Sequence, residues 1–200
     1  MIKFVKREGD RLVSAGDRGS LDYSIPGTRI EVAAAPQRDG QCAAGIHALH
    51  LPKPGGEPYN PYNVVFGDLT AVLLDDCDVV YDEPSGKCRL RSATIGETLR
   101  LGSPVYEALL LGSGSPQWQE NVADAAARAG QLEVLKWLAE QGVTILEAAC
   151  NEAARAGQWE VLKWLAAQGV TIPEAACNAA AWAGQWEVLK WLKGTIKRGP

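Results

Sequence analysis

The stretch Leu132-Glu133-Val134-Leu135-Lys136-Trp137-Leu138 decides the architecture of the C-terminal part of this chain, because it returns almost unchanged at 159–165 and again at 186–192. The interval is 27 residues, which marks three units at 119–145, 146–172 and 173–199. The first two units agree at 19 of 27 positions, too many for coincidence, so a repeated supersecondary element is the primary reading. Each unit reads as two short helices. The first is rich in small residues, and in the third unit it opens with Pro173 and Glu174, both favoured in a first turn. Gly130, Gly157 and Gly184 then permit a tight reversal. The second helix places Val161, Leu162 and Leu165 on one face, with Glu160 and Lys163 more exposed. It stops at Gly142 or Gly169, and Val-Thr-Ile leads onward.

Neither helix buries its apolar face alone, and stacking of about three neighbours solves this. The recurring Ala-Ala-Arg-Ala-Gly-Gln, then Leu-Glu-Val-Leu-Lys-Trp-Leu, then Gln-Gly-Val resembles the two-helix portion of ankyrin repeats. A period of 27 is short of the usual 33 or so, so the resemblance implies a hairpin finger clipped to a tight loop. It also implies a solenoid that binds protein partners through its inner helices and does no catalysis. The variable position before the Ala-Gly turn is Arg128, Arg155 and Trp182, which the resemblance makes a partner-binding ladder on the concave face. Trp137, Trp164 and Trp191 fall inside the second helices and are expected in the core. Cys150 and Cys177 occupy equivalent positions, about one helix diameter apart, too far for a disulfide; buried thiols are expected. The end of the third unit carries no polar capping repeat, which raises self-association through its Trp-rich face as an expectation.

Composition divides the chain at the same place. All seven Trp lie at or after residue 118, and nine of eleven Pro lie before it. The whole chain has 200 residues, 46% hydrophobic and 22% charged, which is globular composition. A net charge of −4 excludes nucleic-acid binding by bulk positive charge. No apolar run reaches the roughly 18–20 residues of a membrane span, and residues 1–8 lack the apolar core of a secretion signal. The cytoplasm is the expected location. Five cysteines without a Cys-x-x-Cys pair suit a reducing compartment.

Residues 1–112 alternate short apolar runs with Gly, Pro and Asp turns, at 2–5, 29–32, 63–66, 70–74, 78–81 and 87–90. This predicts a small β-rich domain. A long loop is expected over 51–62, a short helix over 105–111, and a Gly/Ser linker over 113–118 ahead of the array at 119–200. The predicted fold class is therefore α+β, a β-rich N-terminal domain followed by an ankyrin-like solenoid of three repeats. Asp75, Asp76, Asp78, Asp82 and Glu83 lack the spacing of a calcium loop and read as a solvated turn.

Chemistry concentrates at Cys42, His47 and His50. Cys-x4-His-x2-His supplies metal-binding atoms, but zinc needs three or four spaced ligands. As a nucleophile and base, Cys42 needs His47 or His50 within reach and a partner to orient it, which no neighbouring Asp or Asn supplies. The favoured reading is structural, with no metal, no cofactor and no catalytic residue. The alternative makes this cluster, beside the 51–62 loop, an enzymatic or nucleotide-binding site with the repeats used for targeting or oligomerisation. Cys42-x-x-Gly45-Ile46-His47, between a Gly-Thr-x-Ile-Glu-Val strand and a Gly-Lys-Cys-Arg-Leu-Arg-Ser-Ala-Thr-Ile strand, resembles a small domain of bacteriophage proteins. That resemblance implies a phage-encoded protein in the host cytoplasm that binds and blocks a host or defence protein.

Overall fold

The structure, a computed structural model, describes residues 2–8, 10–13, 21–31, 46–49, 70–82, 87–112 and 114–196. They are α+β, six antiparallel strands followed by seven helices. They form two compact units, one ending at Leu109 and the other beginning at Leu110.

The first unit is built on two long strands, β5 (Thr70–Asp82) and β6 (Lys87–Leu99), paired antiparallel along their length. The strand β1 (Ile2–Glu8) pairs with β5 through Val5↔Thr70 to Ile2↔Leu73, and with β2 (Arg11–Val13). The other edge of β6 takes β3 (Arg29–Glu31) and β4 (Ile46–Leu49). Because Leu49 of β4 also pairs with Ile2 of β1, the strands β1, β5, β6 and β4 close a ring. Ile46 and Ala48, Val72 and Leu74, and Cys88 and Leu90 are all buried, every second residue on three neighbouring strands. Val5, Leu12, Tyr23, Ile30, Ala93 and Ile95 complete the core.

Two expectations change here. The runs 70–74 and 78–81 are one strand, and the acidic stretch between them is not a turn. Asp75 stands opposite Thr94 and Asp78 opposite Ser92, so β5 is bulged, with Asp76 at φ 45°. The bulge lets acidic residues sit in a continuous strand: Arg91 pairs with Asp78 at 3.0 Å, and the Arg29 guanidinium donates to the Asp76 carbonyl at 2.7 Å. Glu83, the 51–62 loop and the strand expected at 63–66 lie outside the described residues.

The helix α1 (Pro104–Leu111) matches the expectation to one residue. The linker does not match. Ser115 caps α2 (Pro116–Ala129), its hydroxyl accepting from the Trp118 amide at 3.3 Å, and Pro116 occupies the first turn. Trp118 is 3% exposed and its indole N–H donates to the Leu110 carbonyl at 3.2 Å. Ser-Pro followed by a large aromatic is a helix start with an anchor, so residues 115–118 belong to the helical unit.

That unit continues with α3 (Leu132–Glu140), α4 (Glu147–Ala156), α5 (Trp159–Ala167), α6 (Glu174–Trp182) and α7 (Trp186–Ile196). The helices α2, α4 and α6 pack in succession, each against its own second helix. Close approach follows from small side chains: Ala126, Ala149, Cys150, Ala153, Ala154, Ala176 and Ala180 are all buried. Gly130 and Gly157 adopt the left-handed conformation at the ends of α2 and α4, where each amide bonds back into its helix. Val134, Leu135 and Leu138 are buried on α3, and Val161, Leu162 and Leu165 on α5. Trp137, Trp164 and Trp191 are half-buried rather than enclosed. Cys150 and Cys177 are buried free thiols.

Candidate partner-binding face

The last turns of α2, α4 and α6 carry Arg128, Arg155 and Trp182 at one repeated position. All three are exposed, and Trp182 is 93% exposed. An indole so fully in water makes no contribution to folding that offsets its hydration.

The two arginines flank one carboxylate. Glu152, one turn before Arg155 in α4, has a side chain only 16% exposed and pairs with Arg155 at 3.4 Å and with Arg128 of α2 at 4.0 Å. The Glu152 Oε2 and the neighbouring Asn151 Oδ1 are buried without a hydrogen-bond donor. Asp124, on α2, faces the same region: burial, then the charges of Glu152 and Glu120, push its carboxyl up to about 6. The backbone beneath Arg128 is also tied down, since the Gln158 amide donates to its carbonyl at 3.1 Å. The result is a row of two guanidinium groups beside one carboxylate, followed by one exposed indole, on successive helices. Arg and Trp are the side chains that dominate protein interfaces.

The repeat register puts Arg128, Arg155 and Trp182 at one position, which the structure exposes, but it does not point to Glu152 and Asp124. Glu152 carried a usable signal: the equivalent positions in the other two units are Ala125 and Ala179, so a lone acid interrupts an alanine series. Asp124 stands where the other units have Asn151 and Asn178.

The other candidate cluster falls mostly outside the described residues. Cys42 and His50 lie outside the described residues, and His47 is placed only by the backbone of β4, opposite Arg89 of β6. Cys88, close by in the core, donates its thiol hydrogen to the Ala48 carbonyl at 3.4 Å. Among the described residues no group of three or more His, Cys, Asp or Glu is arranged to hold a metal, and no helix is long and apolar enough to cross a membrane.

No protein-family model matches this chain, and comparison with curated proteins and with solved structures gives no match.

Proposed function

We propose that this chain is a non-enzymatic protein-binding module, its helical part an ankyrin-like solenoid that docks a macromolecular partner on Arg128, Arg155 and Trp182. The single observation that supports the reading is the repetition itself: one position on three stacked helices carries Arg, Arg and Trp, all exposed, with a mostly buried carboxylate spent on orienting the arginines. Placing Glu152 away from water costs free energy, which the two cations offset, and the local gain is a pre-organised pair of guanidinium groups. The likeness of the N-terminal part to small phage domains makes a host or defence protein, bound and thereby blocked, the class of target.

The test is affinity capture with the full chain from lysate of the host, run beside two variants. Arg155→Glu with Trp182→Ala loses the captured protein. Cys42→Ser with His47→Gln keeps it. The opposite pattern moves the function to the N-terminal cluster.

A further inference from the structure

Three features mark the faces by which units of the helical array receive the unit after them, the first at both junctions and the other two at one junction each. The first is a glycine notch at the turn. A Cβ added to Gly130 meets the Gln158 amide oxygen at 2.5 Å, and one added to Gly157 meets that of Gln185 at 2.6 Å, so the glutamine of the next unit seats on the glycine of the one before. The second is the residue at the start of the second helix. Trp159 of α5 packs on Trp191 of α7, one unit further on, with ring centroids 5.5 Å apart. The third is the ladder residue, since Arg128 reaches forward to Glu152 of the next unit.

The third unit carries residues at the same three positions, and among the described residues no following unit covers them. Gly184 keeps the left-handed conformation (φ 72°) and has open space where the glutamine of a following unit would sit. Trp186, the equivalent of Trp159, is 68% exposed, and Trp182, the equivalent of Arg128, is 93% exposed. Among the described residues the third unit differs from the earlier two in how its second helix ends. The helix α7 runs on to Ile196, through the position at which Gly142 and Gly169 turn the backbone.

We propose that this face docks a second copy of the chain, third unit against third unit about a two-fold axis. The first unit has Leu132 where the later two have Trp159 and Trp186, and Ala125 where the second has Glu152, so its end does not mirror the Trp182 and Trp186 face. An isologous contact needs only one patch, and it closes. Four indoles, two from each copy, cover roughly 600–1,000 Å² in total. Specific interfaces bury at least about 1,000–1,200 Å². Ala183 and Ile196, also exposed, bring the contact to that lower limit, and the exposed Glu187, Lys190 and Lys193 give it a polar rim. The contact therefore suits a dimer in exchange with monomer. It shares Trp182 with the partner-binding reading above, and Arg155→Glu and Trp186→Glu, each confined to one of the two surfaces, tell failure of one from failure of the other.

Sedimentation of the full chain over about 1–300 μM tests this, with circular dichroism to check folding. The wild type is expected to pass reversibly from monomer to dimer. Trp182→Glu, which at 93% exposure removes nothing from the core, and Trp186→Glu each raise the dissociation midpoint at least about tenfold. Arg155→Ala leaves it unchanged. Ala183→Cys, placed at the axis, cross-links to a covalent dimer under mild oxidation faster than the wild type, and the addition of Trp186→Glu suppresses this. A strict monomer at 300 μM or so, association indifferent to both tryptophan variants, or open-ended association without the Ala183→Cys cross-link would overturn the proposal.

Discussion

Gln158 lies across Gly130: its side-chain nitrogen donates to the Arg128 carbonyl at 3.1 Å, and its oxygen would lie only 2.5 Å from a Cβ on Gly130. A glycine at a helix end is ordinarily explained by its own backbone, here φ 72°. The same residue also leaves room for the neighbouring unit, so one position serves the turn and the stack.

The two roles separate by substitution. Gly184→Ala is expected to cost about 1 kcal/mol, the penalty of a left-handed non-glycine residue alone, because nothing lies within 4 Å of the new methyl. Gly130→Ala carries the same penalty and also displaces Gln158, adding about 1 kcal/mol for the lost hydrogen bond. Urea unfolding at low protein concentration measures both. A cycle with Gln158→Ala isolates the second term, and equal costs at the two glycines would show that the glutamine does not bind the units together.

Asp124 makes stability depend on pH in a direction that can be stated. Its carboxyl is raised from 3.8 to about 6 in the folded chain, so the folded state holds this proton more tightly than the unfolded state does. The associated stability is fully present below about pH 4 and is lost as pH rises through about 6. Asp124→Asn, which installs the residue of the other two units, is expected to raise stability at pH 7 by about 1 kcal/mol, allowing for solvent around a partly exposed group. Thermal unfolding at pH 7 and at pH 3.5 checks this: the gain appears at the higher pH and vanishes at the lower.

The Cys150 thiol is pushed up to about 11, first by burial and then by Glu147 and Asp124. A thiol of that pKa has on the order of 100-fold less thiolate at pH 8 than an ordinary cysteine, before access is considered. Cys150 is expected to resist a water-soluble disulfide reagent in the folded chain and to react in urea, while half-buried Cys77 reacts first among these. Mass spectrometry of labelled peptides reads the order. Rapid labelling of Cys150 in native buffer would mean that α2 and α4 separate readily.

Trp118 anchors the start of the array. Trp118→Ala is expected to destabilise by about 3–5 kcal/mol, and Ser115→Ala by about 1 kcal/mol through the lost cap. Neither change would be felt in a flexible linker, so unchanged denaturation midpoints would restore the linker reading of residues 113–118.

The helical half was legible because its signal is repeated. The 27-residue period, the glycine turns and the Val-Leu-x-x-Leu face each recur, and the helices follow them. The β-rich half was legible only in class. Its acids at 75–78 carry the composition of a turn, yet the pairing of β5 with β6 holds them in a strand through a bulge, a long-range constraint that local pattern does not contain. Trp118 was misplaced for a related reason: Gly and Ser before it suggested flexibility, while its partner, the Leu110 carbonyl, is backbone and leaves no mark in the sequence. At the ladder, Arg128, Arg155 and Trp182 followed from repeat position. The charge of Glu152 between the arginines depends on the distance between α2 and α4, which only the packed helices fix.

The central claim is that Arg128, Arg155 and Trp182 form a partner-binding face. Titration calorimetry of the purified captured partner against the full chain tests it most directly, comparing wild type with Arg155→Glu alone, a change that leaves the Trp182 and Trp186 face intact. Arg155→Glu is expected to lose about 30-fold or more in affinity, with Cys42→Ser and His47→Gln unchanged. Undiminished binding by Arg155→Glu, together with loss of binding by either N-terminal substitution, would contradict it.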